Sequence, residues 1–418
     1  MIRHLFKLIW NRKRASALVI VEIFVCFLVL FAVLTLSIYS YQNYQRPIGF
    51  AYQNVFSLDV TFVESRGDGG NTSRTGSAAG AEPAIENPYE ARQRSLLQLV
   101  KSDPAVLNAA WAAPLPFSQS NETRSYNFRK RPIRYSLARC TDEFKDVMGL
   151  EITRGRWFSA EDDGGGYEAV VITEALAAHA FGEANPVGQS ITADRSEGET
   201  TSETERRVVG VIKAFRQNGE TETEERYALT RLEYPSARMR RMDSMALLMK
   251  PGADANVEAR LVASLLAAAP DWSFKVEQMP ASAEFTRRVY LAPIGIAAVV
   301  AGSLVLMVAL GLSGVLWQSV TTRIREIGVR RALGASAVDV KWQVIGELMV
   351  MATIAMSLGV IVVLQFPFLD LLGPVPPSVF FAGLSLTIVS LYFLALVCGL
   401  HPARLATTVH PSEALRYE

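Results

Sequence analysis

Four long apolar stretches interrupt an otherwise polar chain, one near its start and three near its end. They occupy residues 17–40, 291–317, 343–364 and 379–400. A helix needs about 20 residues to cross the roughly 30 Å hydrocarbon core of a bilayer, and each stretch meets that length. The pattern predicts an α-helical membrane protein with four transmembrane helices and a long polar insert between the first and the second.

The polar insert, residues 41–290, mixes strand-like alternation with helical spacing in no regular order. This mixture predicts an α+β domain, and about 250 residues are enough for two subdomains. The predicted strands are Val55–Val63, Arg124–Phe128, Ile133–Arg139, Glu168–Ile172, Arg207–Phe215, Met245–Lys250 and Ser273–Gln278, and the predicted longer helices are Tyr89–Lys101 and Asp254–Ala269.

Helix start and stop signals place two further short helices in the insert. Thr141 or Asp142 is expected to cap a helix that ends at Gly149. Thr173 is expected to cap a second helix, which Gly182 ends.

Three stretches of the insert lack the large apolar residues that a core requires. Arg66–Gly80 is rich in Gly, Ser, Ala and Thr and is predicted to be a flexible loop. Thr200–Arg207 and Gly219–Arg226 are acidic and polar, and we expect them to be hairpin tips or solvated loops.

The distribution of basic residues predicts the topology, because Lys and Arg concentrate in short cytoplasmic loops. Basic residues precede the first stretch and fill the loop 318–342, whereas the connection 365–378 has none. Both termini, that loop and the tail 401–418 are therefore expected in the cytoplasm, with the insert outside. Residues 1–16 are predicted to form an amphipathic helix on the cytoplasmic bilayer surface, and a disordered basic leader is the alternative.

Signatures of catalysis and of metal binding are missing from the sequence. No G-x-x-x-x-G-K-[ST] phosphate loop, no H-E-x-x-H and no Cys/His cluster occurs, so neither an enzyme nor a cofactor is predicted in this chain. No nucleic-acid partner is expected. The insert has one cysteine, Cys140, and a single cysteine cannot form a disulfide within the insert. The hydrophobic core is therefore expected to stabilise the insert.

Polar and small residues inside the apolar stretches point to helix contacts. Glu22 and Glu347 lie near the predicted inner interface, which favours local structural pairing over an ion pathway. Small residues in the second stretch predict a close helix contact, for which a second copy of the chain is one candidate partner. They are Ala298, Gly302, Gly311 and Gly314.

The segment Thr321–Ser336 is the strongest local signal. Glu326 and Arg330 stand four apart in the favourable order, beside a narrow apolar stripe that includes Ile324 and Ile327. A short helix of this kind is suited to docking in a partner's groove, while a loop that only satisfies the topology rule fits equally well.

This segment resembles the signature of MacB/FtsX-type ABC transporter permeases. The tail 402–418 is similar to the same family, and 155–158, 185–188 and 209–212 are similar to pieces of the MacB-like periplasmic core domain. The resemblance implies the permease subunit of a bacterial inner-membrane transporter that works by mechanotransmission. It implies separate ATP-binding subunits that carry ATP and Mg²⁺, a second permease copy in a homo- or heterodimer, the lipid bilayer and, for some members, a periplasmic adaptor as partners.

The resemblance also assigns roles to residues. The coupling helix that contacts the ATPase would include Arg323, Arg325, Glu326, Ile327, Gly328, Arg330, Arg331, Leu333, Gly334 and Ala335. The expected task is export or envelope handling of peptides, antibiotics or lipoproteins. An alternative function is a membrane-anchored sensor or scaffold whose insert binds a ligand without an ATPase.

Overall fold

The computed structural model describes residues 13–62, 90–118, 120–163, 166–192, 205–222, 226–232, 242–253, 255–322, 329, 336–367 and 375–408. The chain divides into two compact units. One contains residues 1–42 and 290–418 and is called the membrane unit below; the other contains residues 43–289 and is called the insert domain. Each is described by itself.

In its described residues, the insert domain combines ten strands with four helices of its own. The strands are β1 Val55–Phe62, β2 Val106–Ala113, β3 Glu122–Phe128, β4 Arg131–Cys140, β5 Ile152–Gly155, β6 Tyr167–Thr173, β7 Glu205–Ile212, β8 Tyr227–Arg231, β9 Ser244–Met249 and β10 Trp272–Gln278. The helices are α2 Glu90–Ser102, α3 Phe144–Met148, α4 Glu174–Phe181 and α5 Ala255–Ala268, with short 3₁₀ turns at Ala160–Asp162 and Gly219–Thr221.

All ten strands join one mixed sheet. Its order is β10-β1-β9-β2-β4-β8-β6-β7-β5, and β3 adds to β4 off this path. The pairs β4–β8 and β6–β7 are parallel, and the other named pairs are antiparallel. The two halves of the sheet meet at β2, which pairs with β9 up to Trp111 and with β4 through Ala112 and Ala113.

Each half of the sheet buries an apolar face under helices. Helices α2 and α5 contribute Leu96, Val100, Leu261 and Leu265 to a core with β1, β9 and β10. Helix α4 contributes Leu176, Ala177 and Phe181 to a second core with β4, β6 and β7. Burying a side chain of this size stabilises the fold by about 1.5–3 kcal/mol relative to exposure.

The strand and helix predictions agree with the structure at most positions. Thr173 caps α4, because its hydroxyl accepts a hydrogen bond from the Leu176 amide at 3.4 Å. Gly182 ends that helix, and Gly149 ends α3 at a φ of +62°. Cys140, the one cysteine of the insert domain, is buried and its thiol is free.

The predicted cap of α3 is wrong. The N-cap is Glu143, and it makes no side-chain capping bond. The Asp142 carboxylate instead accepts two hydrogen bonds from the Arg231 guanidinium at 2.7 and 2.9 Å. A charge-assisted pair is stronger than a neutral capping bond, which explains why the carboxylate turns away from the helix.

The expectation of two solvated acidic loops is also wrong where they are described. Residues Glu205–Arg207 belong to β7. Gly219 is buried, and the turn Gly219–Thr221 is partly covered because the carbonyls of Glu220 and Glu222 accept hydrogen bonds from a buried arginine. Buried backbone groups need such partners, and side-chain acidity alone does not reveal them.

The membrane unit contains four long helices. They are α1 Lys13–Tyr44, α6 Met279–Thr321, α7 Ala337–Val363 and α8 Pro377–Thr408, and parts of α1 and α6 belong to the insert domain. All four are long and apolar enough to cross a membrane. The fold class is therefore the predicted one, with one such helix before the insert domain and three after it.

The side chains of α1 that pack against the neighbouring helices recur every four residues. Val19, Ile23, Phe27 and Phe31 are buried, and they pack with apolar side chains from α6, α7 and α8. Other α1 side chains, such as Leu18 and Val21, are exposed, as expected of a surface that meets lipid. The predicted N-terminal helix of residues 1–16 lies outside the described residues except for its last four, which belong to α1, and the loop Arg66–Gly80 lies outside them entirely.

Candidate functional site

All ten predicted coupling residues, Arg323 to Ala335, lie outside the described residues, and Val329 is the one position between them that is described. The structure does describe both ends of the segment. Helix α6 ends at Thr321, where the Thr321 and Thr322 hydroxyls donate to the Gln318 carbonyl at 3.1 and 2.9 Å. On the other side of the segment, Val340 in α7 packs against Val320. Both ends of the segment are thus held together.

The four small residues predicted to mediate helix packing have different surroundings. A Cβ on Gly311 would lie 2.6 Å from the Glu22 carboxylate, so the absent side chain makes room for that group. Gly302 and Gly314 have open space where a Cβ would stand. Ala298 is exposed. Within this chain, then, one of the four lies in a close helix contact, between α1 and α6.

Two further glycines receive side chains of α1, and sequence reasoning did not single them out. A Cβ on Gly359 in α7 would overlap the Phe27 ring, and one on Gly383 in α8 would overlap Thr35. Together with Gly311, they let α1 approach three helices closely. The signal available in the sequence was the presence of glycines in the three later apolar stretches, but small residues are common in membrane helices and their partners cannot be read from spacing.

The buried interior of the membrane unit is almost wholly apolar. Among its described residues, the buried polar side chains are Thr35 and Thr387. The Thr387 hydroxyl donates to the Gly383 carbonyl of its own helix at 2.8 Å. Glu22 and Glu347 are partly covered. The described spans therefore form no continuous polar path.

In the insert domain, Arg216 is the most deeply buried cation among the described residues, with 1% of its surface exposed. One guanidinium nitrogen, Nη1, donates to the carbonyls of Asn43 and Arg46 at 2.9 and 3.2 Å. The other, Nη2, donates to the carbonyls of Glu220 and Glu222 at 3.1 and 2.6 Å. The last carbonyls of a helix lack partners and carry partial negative charge, which a cation stabilises. Arg216 thus neutralises the end of α1.

An aromatic cluster surrounds the segment that follows α1. Phe50 packs against Tyr52, Phe117 and Phe215, with ring centroids 6.1, 5.8 and 5.2 Å away. The backbone of this segment is also held, because the Arg216 amide donates to the Ile48 carbonyl at 3.0 Å. Gly49 has φ +93°, and any side chain there would collide with the backbone of Ala214. The first residues after α1 are therefore fixed to the insert domain.

Gln217, the residue after Arg216, is also buried and forms several hydrogen bonds, but with a different part of the insert domain. Its amide nitrogen donates to the carbonyls of Leu115 and Ser120 at 3.2 and 2.5 Å, and its oxygen accepts from the Tyr227 hydroxyl at 2.6 Å. The Gln217 carbonyl accepts from the Phe117 amide at 2.9 Å. These bonds hold residues 114–118 and 120, which are called the cleft loop below. Burial raises the pKa of Tyr227 well above its ordinary value, so this phenol stays a donor.

The cleft loop lines a cleft of about 1520 Å³ in the insert domain. Its lining includes Asp59 and Glu277 on neighbouring strands, together with Asp243 and Lys275, which pairs with Glu277 at 2.7 Å. Burial raises the pKa of Asp59, and its acidic neighbour Glu277 raises it further. The lining also includes Arg124 and Arg139, which share the Glu122 carboxylate at 2.6 and 2.8 Å. The cleft is polar and carries both signs of charge.

Nothing in the described part of the chain assembles a metal centre, since no three His, Cys, Asp or Glu side chains converge there. His179, the histidine of the insert domain, is not buried and lies 3.3 Å from the Arg226 guanidinium. We find in the described residues no nucleophile paired with a base.

Comparison with known proteins places the chain in a family. Residues 16–264 match the model of the MacB-like periplasmic core domain, and residues 296–411 match that of the FtsX-like permease C-terminal domain. The fold and these matches define a multi-pass membrane protein of the permease class. The chain belongs to the MacB/FtsX-type ABC transporter permeases.

Individual relatives agree with this assignment. The chain is 28% identical over 284 residues to the macrolide export ATP-binding/permease protein MacB of Bdellovibrio bacteriovorus, covering 63% of this chain and 41% of that protein. It is 24% identical over 289 residues to the uncharacterized ABC transporter permease YknZ of Bacillus subtilis, covering 66% of this chain and 68% of the relative. The chain thus spans less than half the length of the Bdellovibrio exporter.

A solved structure of the periplasmic region of MacB from Actinobacillus actinomycetemcomitans aligns with a TM-score of 0.36 at 16% identity, covering 58% of this chain and 94% of that one. The extracellular domain of YknZ from Gram-positive bacteria aligns with a TM-score of 0.34 at 14% identity, covering 52% and 99%.

Proposed function

We propose that this chain is the permease subunit of an ABC transporter that works by mechanotransmission. A separate ATP-binding subunit, carrying ATP and Mg²⁺, docks on the segment Arg323–Ala335 and moves the membrane unit. The movement reaches the insert domain, which faces the periplasm, and does its work there. The match of both domain models in the same order along one chain is the observation that carries this proposal.

The interior of the membrane unit supports this mode of action over passage of a substrate between the helices. A conduction path needs polar groups near the middle of the bilayer. Among the described residues, the membrane core consists of apolar side chains and two threonines. A transporter of this construction would handle its substrate in the periplasm.

The ends of the coupling segment support a docking role for it. Val320 and Val340 pack together, so the two helices that flank residues 323–335 are adjacent where the segment begins and ends. Four arginines in this loop, Arg323, Arg325, Arg330 and Arg331, would face the ATPase, together with Glu326. The same loop contributes positive charge that favours the cytoplasm, as do the basic residues before α1.

Relatives named as macrolide exporters support export from the cell envelope as the task. Peptides, antibiotics and lipoproteins are the proposed substrate classes, in a bacterial inner membrane with both termini cytoplasmic. A second permease copy would complete the transporter, and a periplasmic adaptor is a further candidate partner.

Co-purification tests the central claim. The full chain is purified from native membranes, and the bound proteins are identified by mass spectrometry. We expect an ABC ATPase in the wild type and at least about tenfold less of it with Arg330→Ala plus Arg331→Ala, since several charge-assisted contacts are lost. Arg404→Ala, which removes a basic residue outside the segment, is the matched control and should retain the ATPase. A wild-type sample with a kinase or another signalling protein and no ATPase would instead favour the sensor function.

Topology is tested by labelling with a membrane-impermeant maleimide in intact cells. Lys213→Cys in the insert domain should react, because Lys213 is exposed, whereas Gln318→Cys at the predicted cytoplasmic end of α6 should react only after lysis. The native cysteines Cys26, Cys140 and Cys398 are buried and give little background. The reverse pattern would place the insert domain in the cytoplasm and remove the proposal.

A further inference from the structure

Arg216 and Gln217 are consecutive residues that hold two different parts of the insert domain. The Arg216 side chain binds the carbonyls of Asn43 and Arg46 at the end of α1. The Gln217 side chain binds the carbonyls of Leu115 and Ser120 at the two ends of the cleft loop. Both side chains are 1% exposed, so water does not compete for these hydrogen bonds.

The connection between the two side chains is short and stiff. The backbone of the pair is itself hydrogen-bonded on both sides, to the Ile48 carbonyl through the Arg216 amide at 3.0 Å and to the Phe117 amide through the Gln217 carbonyl at 2.9 Å. The next turn is packed as well, because a side chain on Gly219 would lie 2.7 Å from the Phe117 ring. The backbone of Arg216 and Gln217 therefore connects the end of α1 to the cleft loop with little conformational freedom.

We propose that Arg216 and Gln217 are positioning residues that make the cleft loop follow the end of α1, so that movement of the first span changes the shape of the cleft. The proposal rests on the proposed function for the source of that movement. The end of α1 cannot shift alone, because the buried guanidinium would lose its carbonyl partners with no water to replace them. The cleft is consequently the part of the insert domain that responds to nucleotide.

The charges of the cleft indicate what such a change would act on. Asp59, Asp243 and Glu277 line it, and so do Arg124 and Arg139. A shift of the cleft loop changes the spacing between these acidic and basic groups. A ligand that carries both an amine and a carboxylate, such as a peptide segment, would be gripped in one state and released in the other.

The first experiment needs no ATPase. Amide hydrogen exchange is measured on the full chain in lipid nanodiscs, for the wild type and for Arg216→Lys, which keeps the charge and loses the two-nitrogen fork. We expect exchange at the Phe117 amide to become about tenfold faster in the variant, because the anchor of the cleft loop is loosened. Arg231→Lys is the matched control, a partly buried arginine that pairs with Asp142 and Asp163, and it should leave Phe117 unchanged. Unchanged exchange at Phe117 in Arg216→Lys would overturn the proposal.

The second experiment reads the response to nucleotide in the complex with the ATPase. A bimane fluorophore is placed on Ser118→Cys in the exposed part of the cleft loop, with Ser264→Cys on α5 as the reference site. We expect ATP to change the emission at 118 and not at 264. Gln217→Leu should reduce the change at 118 by about fivefold or more while the ATPase still binds and hydrolyses ATP, since this link is cut on the cleft side only.

The outcomes separate the two proposals. A full ATP response at 118 in a folded Gln217→Leu variant contradicts the link and leaves the proposed function intact. An ATPase that does not bind the wild type contradicts the proposed function, while the exchange measurement still decides whether the end of α1 and the cleft loop are connected.

Discussion

Different interactions stabilise the interior of the insert domain and the interior of the membrane unit. The insert domain combines apolar cores with buried polar anchors such as Arg216, Gln217 and Thr173. The membrane unit uses apolar side chains fitted against glycines, and the buried polar groups in its described part are two threonines. In lipid, burying an apolar side chain gains nothing over contact with acyl chains, so close fit replaces the hydrophobic effect. In the insert domain, the hydrogen bonds of the polar anchors fix the orientation of the segments that they join, which non-directional apolar packing does not do.

Arg216→Met should have the largest effect, and it tests whether a buried polar anchor stabilises the insert domain. The variant removes the buried side-chain donor that four backbone carbonyls share, and we expect the insert domain to lose about 3 kcal/mol or more of its free energy of unfolding. Denaturant unfolding of the full chain, followed by tryptophan fluorescence, measures the loss. Lys213→Met, an exposed residue three positions earlier, should change it by less than about 0.5 kcal/mol. Equal effects of the two variants would mean that Arg216 is not an anchor.

Gly359→Ala tests the membrane unit in the same way. The added methyl overlaps the Phe27 ring, and overpacking of this kind destabilises by about 1–3 kcal/mol. The expected result is a lower thermal midpoint of the detergent-solubilised protein. Gly314→Ala adds the same methyl where the space is open, so its midpoint should match the wild type or rise slightly. If both alanines behave alike, α1 does not use glycine to approach its neighbours.

Thr173→Ala removes one hydroxyl that serves two elements. It accepts from the Leu176 amide at the start of α4 and from the Tyr227 amide of β8, at 3.4 and 3.1 Å. Loss of a cap costs about 1 kcal/mol, and the second unpaired amide adds to it. Thr173→Ser keeps the hydroxyl and should recover most of the stability in the same denaturant titration.

Asp162 offers a smaller, pH-dependent effect. Its carboxylate accepts from Arg156 at 2.6 and 2.8 Å and from the Ser159 amide at 3.0 Å, and the Arg156 hydrogen bond holds the pKa of Asp162 below its usual range. A lowered folded-state pKa means that the stabilisation is full above the unfolded value of about 3.9 and disappears as the pH falls through the folded value. Asp162→Asn should cost about 1 kcal/mol at pH 7 and progressively less below pH 4. A difference from wild type that stays constant down to pH 2 would contradict this assignment.

The sequence predicted those features that arise from local patterns. The four apolar helices follow from run length, and the cap of α4 follows from a threonine before a helical run. Strand β2 was missed because its sequence, V-L-N-A-A-W-A-A, has no clear alternation; it is buried from Ala109 to Ala112 at the junction of both halves of the sheet. The short strands β5 and β8 were missed as well.

The anchors could not be predicted because their partners are distant in the chain. Arg216 lies 173 residues from Asn43, and the bond between them joins a side chain to a backbone carbonyl, which has no residue-specific signature. Gly359 and Gly383 were indistinguishable from other glycines until the structure placed Phe27 and Thr35 against them. The coupling segment remains a prediction from sequence, since its ten residues fall outside the described part of the chain.

The contact between Val320 and Val340 has a thermodynamic consequence for the loop that it closes. Bringing the two ends of a chain segment together reduces its conformational entropy, by an amount that grows only slowly with its length. In this protein the packing of Val320 in α6 against Val340 in α7 has already brought the two ends together before any partner binds. A partner that binds to this segment does not have to bring its two ends together, so this part of the entropy cost does not reduce the binding free energy.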